Sequence, residues 1–337
     1  MLEESTIAEV GAVRSWDVWR PRAVFLVSRL AASSALLFLL SVGVFALLYA
    51  SPGSAVDALL GARPRTAETV ASIEREYHLN DPFPQQYAYW LSSAVRLDFG
   101  VSIRTGEPVV AMFQRQAPPT LFLVGYASII TMVFGTGLGL LAAYHRGTIV
   151  DRLVVLASVV GASSPAFATG LLLIFVFGVV LSWFPVYGVG TGVFDQAYHL
   201  TLPAIALAST SVALVAKLTR AALIGALEQD YVAFARARGV GTVRIILAYG
   251  FRNALGPILT SANLVFANII FGVVLVDVTF GLPGLGALLV SAVSFHDLPV
   301  VQAFALLTGA LIILVNLLVD IALLVVDPRV GFGRSAK

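Results

Sequence analysis

The sequence predicts an all-α membrane protein with six transmembrane helices. Composition sets the solvent: 58% of the residues are hydrophobic and 12% charged, where soluble domains carry about 25% charged residues. Six apolar segments, 24–50, 120–144, 153–181, 200–221, 257–280 and 300–326, are each long enough to cross a hydrocarbon core of about 30 Å, which takes roughly 20 helical residues. The third observation is the unequal placement of arginine and lysine between the connections. With the N-terminus inside, fifteen of the 21 basic residues are cytoplasmic. The short connections 182–199 and 281–299 carry none, so both termini are assigned to the cytoplasm.

In chain order, residues 1–23 are read as a cytoplasmic N-terminal extension and 24–50 as the first span. That span follows a charged stretch and lacks a small-residue cleavage pattern before Pro52, so it is expected to be retained rather than removed as a signal peptide. Segment 51–119 is external, too long for a bare linker and beyond the loop length of about 60 residues to which the positive-inside rule applies. Val70, Ile73 and Tyr77 recur at helical spacing, as do Tyr87, Trp90, Leu91 and Ala94, with Asn80-Asp81-Pro82 as a turn between them. Two or three short helices are expected there, as a lid or as a docking face for an external protein. Residues 120–326 form a five-helix core interrupted by the cytoplasmic loop 222–256, and 327–337 a cytoplasmic tail. Without cysteine there is neither a disulfide framework nor a thiolate metal site. His78, His145, His199 and His296 lie in separate segments without ligand spacing, so no metal site is expected.

The loop 222–256 holds the most informative residues. Asp230 to Arg238 reads as a short alanine-containing helix, and Gly239 supplies the left-handed residue that ends it. A helix this short is marginal alone in water and must gain stability by packing on something. A second helix from Thr242 is expected to put Val243, Ile246, Leu247 and Gly250 on one face, until Pro257 opens the next span. The alternative is a loop whose arginines only obey the positive-inside rule or touch anionic membrane lipid.

Asp230-Tyr231-Val-x-x-Ala235-Arg236-Ala237-Arg238-Gly239, followed by Arg252-Asn253-Ala-Leu-Gly-Pro257, closely resembles the cytoplasmic loop of the dipeptide and oligopeptide permeases of binding-protein-dependent ABC importers. The resemblance runs from Val24 to Gly333. It includes Pro52-Gly53, Asp98-Phe-Gly-Val-Ser102, Arg104-Thr-Gly-Glu-Pro108, Trp183-Phe-Pro-Val-Tyr-Gly188, Leu282-Pro283-Gly284-Leu-Gly286, Asp297-Leu-Pro-Val-Val-Gln302, Asn316-Leu-Leu-Val-Asp320 and Asp327-Pro-Arg329. Ala233, Phe234 and Ala235 stand where the generic importer loop has Glu-Ala-Ala, and Asp277 where glutamate is common. The resemblance implies a type I ABC importer permease fold and a coupling helix that sits in a groove of a cytoplasmic ATPase. It also implies its partners: a second homologous permease, two ATP-binding subunits, an extracytoplasmic solute-binding protein and a peptide substrate, with no nucleic acid. The location implied is a bacterial or archaeal cytoplasmic membrane. Relatives for nickel, glutathione or another small solute keep the substrate open.

No cofactor is assigned to this chain. It has no G-x-x-x-x-G-K-[ST] loop, so ATP and Mg are expected on the partner ATPases and the chain is read as non-catalytic. Asp277, Asn263, Asn268, Ser163, Ser164 and Pro165 are candidates for a pathway or gate, because polar groups inside spans usually face a cavity or a partner. Asp277 is equally placed to reach interfacial water, and the small polar residues to bond neighbouring helices. Asp320, Pro283, Gly284 and Gly286 are read as structural. Gly135-Thr-Gly-Leu-Gly139 lies inside an apolar span and is read as a helix-packing motif rather than a nucleotide fingerprint. The reading from another class is a stand-alone secondary carrier or channel, which would show inverted repeats and a midplane site; an intramembrane enzyme is not expected, because the chain has no G-x-S-x-G motif and no G-x-G-D around either membrane aspartate.

Overall fold

A computed structural model describes residues 15–50, 54–60 and 64–326. Residues 1–14 of the N-terminal extension, Pro52-Gly53, and the tail 327–337 with Asp327-Pro-Arg329 lie outside the described residues. The elements are helical throughout: α1 (Ser15–Ala50), α2 (Ala55–Leu60), α3 (Ala67–Glu76), α4 (Phe83–Val95), α5 (Val109–Tyr144), α6 (Ile149–Ser163), α7 (Ala166–Leu173), α8 (Val193–Leu227), α9 (Asp230–Ala237), α10 (Thr242–Arg244), α11 (Arg252–Thr279), α12 (Leu285–Ser294) and α13 (Leu298–Val326). Five of the resulting rods are long and apolar enough to cross a membrane, and there are six if the bent pair of α6 and α7, the latter continued by a π-helical stretch (Ile174–Val180), is counted as one span.

Four boundaries differ from the sequence expectation. Helix α1 starts at Ser15, well before 24. Helix α5 starts at Val109 and carries Pro118 and Pro119 inside it; the Thr120 hydroxyl back-bonds the Gln116 carbonyl at 3.2 Å in the turn that the prolines leave short of donors. The third apolar segment is no single rod but two helices bent by 104°. Pro165 forces Ser164 into an extended conformation (φ −94°, ψ 120°), and the Thr210 hydroxyl of α8 takes the Ser164 carbonyl freed by the break, at 3.1 Å.

The fourth difference is at Pro257, which opens no new helix. Residues from Thr242 run through a π-helical stretch (Ile245–Phe251) straight into α11, as one rod of 38 residues, Thr242–Thr279. The face it buries is Ile245, Ile246 and Gly250, whereas Val243 and Leu247 are exposed. The π stretch explains the change, since an extra residue per turn rotates the apolar face away from 3.6-residue spacing. Gly250 sits against Leu223 and Leu227 of α8.

The centre of the bundle is the pair α5 and α8, with α11 across them. A Cβ on Gly135 would lie 2.6 Å from the Val215 side chain, and one on Gly139 would lie 2.6 Å from Thr219 and 2.7 Å from the Ala216 carbonyl. Gly137, on the other face, meets nothing within 4 Å. The small residues let two parallel backbones approach, which is how spans gain contact where lipid removes the hydrophobic drive. Helices α1 and α13 form a flank, joined by a Gln302 amide bond to the Val44 carbonyl at 3.1 Å, by Gly309 under Leu40 and by the Arg29–Asp320 ion pair at 3.2 Å.

At the end of the bundle opposite α9, helix α4 packs on α1 through Phe45, Tyr87 and Trp90, and α2 and α3 meet α1 in the cluster of Leu48, Leu59, Leu60 and Ile73. The stretch 98–108 then doubles back onto α12 and α13. Asp297 accepts from the Ser102 hydroxyl and from the Ile103 N–H (3.1 Å), and the Arg104 guanidinium lies 3.9 Å from the Phe295 ring centroid. Two motifs distant in the sequence are thus one contact.

Replacing Gly139 by Val is expected to lower the stability of the purified chain by about 1–3 kcal/mol through overpacking against backbone, while Gly137→Ala leaves it unchanged; thermal unfolding in detergent reads both.

Candidate functional site

Helix α9 ends as the sequence expects, with Gly239 at φ +73°. The Gly239 N–H donates to the Arg236 carbonyl (2.9 Å) and the Val240 N–H to the Ala235 carbonyl (3.1 Å), which is the paired bonding of a Schellman cap. Val240 then folds back on the cluster formed by Val232, Ala235 and Ile245. One side of α9 is therefore buried on the start of the long α10–α11 rod. The other side is open: Asp230, Ala237 and Arg238 are exposed, and Phe234 is 70% exposed; Arg236, also exposed, follows Val232 by one turn and lines a recess against the ends of α5 and α8.

Polar contacts fix α9 to both long helices. The Tyr231 hydroxyl donates to the Ala226 carbonyl at the end of α8 (3.2 Å) and accepts from the Asn253 amide of α11 (3.0 Å). Asn253 also donates to the Tyr249 carbonyl (2.6 Å), and the Tyr231 and Tyr249 rings stack at 6.4 Å. Of the residues singled out in the loop, Tyr231, Ala235, Gly239 and Asn253 form the attachment. Arg236, Arg238, Arg252 and Pro257 are left exposed. Sequence reasoning missed Val232, although its spacing of three from Ala235 marks an apolar face. It also missed the bidentate pair of Arg220 on α8 with Asp151 on α6 (2.6 and 2.8 Å); Arg220 had counted only as a loop cation.

The intramembrane polar candidates separate into two groups. Asp277 does not face a passage: it is 1% exposed, and its carboxylate accepts the Gly286 N–H at 2.9 Å. Thr120 of α5 accepts the Leu285 N–H at 2.8 Å. These two side chains satisfy amides at the start of α12 that a helix leaves without internal partners. Gly284 and Gly286 are required because a Cβ on either would collide with the Asp277 carboxylate. Asn263 is half-buried, and its carbonyl oxygen has no partner among the described residues.

The second group meets. Ser163, Ser164, Pro165 and Asn268 line one recess of about 360 Å³ at the α6–α7 break, together with Thr210 and Ser211 of α8. The last two were missed, though the run Ser209-Thr210-Ser211 within an apolar span is itself a signal.

Comparison with known proteins decides the family. Residues 135–332 match the model described as binding-protein-dependent transport system inner membrane component. Residues 23–124 match the N-terminal model for membrane components of the same systems. The chain belongs to this family.

Within it, the chain is 35% identical over 312 residues to the "Probable peptide ABC transporter permease protein y4tP" of Sinorhizobium fredii, covering 92% of this chain and 99% of that one. It is 35% identical to the glutathione transport system permease protein GsiC of Escherichia coli K12, covering 91% of this chain and 99% of that one. To the oligopeptide transport system permease protein AppB of Bacillus subtilis it is 34% identical, covering 92% and 100%. Among solved structures, an inward-facing MetNI methionine ABC transporter matches with a TM-score of 0.52 at 16% identity, over 65% of this chain and 97% of that chain. The fold is that of a type I ABC importer permease, and the protein is a multi-pass transport component of the inner membrane. The matched range 135–332 contains α9 and the residues of α8, α10 and α11 that hold it.

Two outcomes check the attachment of α9 in this permease. A double-mutant cycle of Tyr231→Phe and Asn253→Ala is expected to show about 1 kcal/mol of coupling in thermal unfolding, the size of one net hydrogen bond. Gly239→Val is expected to cost about 1–2 kcal/mol for the left-handed residue, seen as faster hydrogen exchange confined to 230–240.

Proposed function

We propose that this chain is one permease subunit of an ATP-driven importer that takes peptides from an extracytoplasmic solute-binding protein and moves them across a bacterial or archaeal cytoplasmic membrane by alternating access. A second, homologous permease completes the pore. Two ATP-binding subunits carry ATP and Mg and supply the work, so this chain holds no cofactor of its own and performs no chemistry. Both termini and α9 lie in the cytoplasm, and α2 to α4 form part of the outer mouth, where the binding protein delivers its cargo.

One observation carries the reading: α9 is held rigidly on the inner ends of α8 and α11 while its other face, with Phe234 and Arg238, is free to enter a partner. A helix keeps its backbone hydrogen bonds internal, so a push on that face moves the two rods instead of melting the lever. The names of the relatives support a peptide or a glutathione cargo. A peptide is the first reading because the loop sequence itself resembles the peptide permeases, and glutathione is the second.

Deletion of the chain in its host is expected to abolish uptake of labelled peptides, and competition by unlabelled peptides of graded length sets the preferred size. Replacing Arg236 and Arg238 together by Glu is expected to lower co-purification of the ATP-binding subunits at least about tenfold, by reversing charge on the exposed surface of α9. Unchanged peptide uptake in the deletion strain rejects the cargo, and unchanged co-purification rejects the docking role.

A further inference from the structure

The recess at the α6–α7 break joins features that a lipid-facing surface does not tolerate. Pro165 ends the hydrogen-bond ladder of α6, and α7 starts afresh at Ala166. Interrupted backbone at membrane depth is stable only against protein or against a water-filled space. Asn268 and Pro165 are exposed at the rim, so the space is open rather than filled by this chain. Its volume, about 360 Å³, falls in the range of about 300–1,000 Å³ typical of small-molecule sites.

Its hydrogen-bonding inventory is specific. The Ser163 hydroxyl donates to the Val159 carbonyl (2.9 Å), that of Ser164 to Val160 (3.0 Å) and that of Thr210 to Ser164 (3.1 Å). Their protons are spent locally, and the oxygens remain as acceptors. Ser211 is 2% exposed, lines the recess, and has no hydrogen-bond partner among the described residues. The Asn268 amide is likewise uncommitted among the described residues and offers both donors and an acceptor. None of the ten lining residues, which run from Ala162 to Ala166 on one side and include Leu207 and Gly272 on the other, is ionisable.

Resting on the peptide-importer reading, we infer that this recess is this subunit's wall of the translocation pathway, and that it reads the main-chain amides of the passing peptide through Ser211 and Asn268 while remaining indifferent to side-chain charge. Peptide N–H groups meet the hydroxyl oxygens of Ser163 and Ser164, and peptide carbonyls meet Asn268 and Ser211. A neutral wall neither traps a cationic cargo nor repels an anionic one. Selection among sequences is left to the binding protein, and each amide is held weakly enough to be released.

The test is uptake of two peptides of equal length, one carrying Lys and one Glu, by cells expressing the full transporter. Asn268→Asp is expected to raise the Lys-to-Glu uptake ratio about tenfold over the native ratio, and Asn268→Lys to lower it by a similar factor, as a fixed charge in a passage attracts one cargo and repels the other. A ratio unchanged in both variants overturns the pathway assignment while leaving the importer reading intact. Failure of the native transporter to take up either peptide overturns the peptide cargo and this inference with it. Because the chain has no cysteine, Asn268→Cys gives an independent check: its thiol is expected to react with a water-soluble maleimide and to be protected by the transported peptide with its binding protein. An unreactive thiol in a transport-competent complex also overturns the proposal.

Discussion

The attachment of α9 to two long helices is the constraint on which the account depends. An isolated helix of eight residues is marginal in water, so α9 persists only because Val232 and Ala235 are buried on Ile245 and because Tyr231 bridges Ala226 and Asn253. In the proposed function, the same contacts that stabilise it make it a lever. Without them, force on the free face would be absorbed by local unfolding and would not reach α8 or α11.

In the same proposal the rest of the bundle serves as a transmission. Helix α8 is locked to α5 where Gly135 and Gly139 let the backbones touch, and to α6 by the Arg220–Asp151 pair. Helix α11 runs to the far end, where the Asp277 carboxylate accepts an N–H of the first turn of α12. Rigid contacts and one deliberate interruption divide the labour: small residues make the pieces move together, and Pro165 opens a polar space between them. In a membrane such an interruption is tolerated only against protein or water; the Thr210 hydroxyl takes the freed Ser164 carbonyl, and the inferred passage runs along the polar recess beside it.

Much of this was legible in the residues. Hydropathy placed the spans because a bilayer demands long apolar helices, and Gly239 announced the end of α9 because left-handed backbone strongly favours glycine. Gly135 and Gly139 were read as packing, and they are where α5 meets α8. What failed to show were properties of neighbours. Asp277 reads as a gate or as a group reaching interfacial water because its sequence position gives no hint that the amide of Gly286 returns to it. Val243 and Leu247 read as sharing a face with Ile246 and Gly250, and they are exposed because a π stretch shifts the buried face, a shift that nothing in a 3.6-residue pattern signals. The break at Pro165 lay within an apolar run whose total length still fitted one span, so length alone hid the bend.

The most direct measurement is photo-crosslinking from the free face of α9, with benzoylphenylalanine in place of Phe234 in the complete transporter within native membranes. The account predicts a product between this chain and an ATP-binding subunit, formed from the cytoplasmic side and altered when ATP is bound. Crosslinks only to lipid or to an external protein, in membranes that still transport, would contradict it.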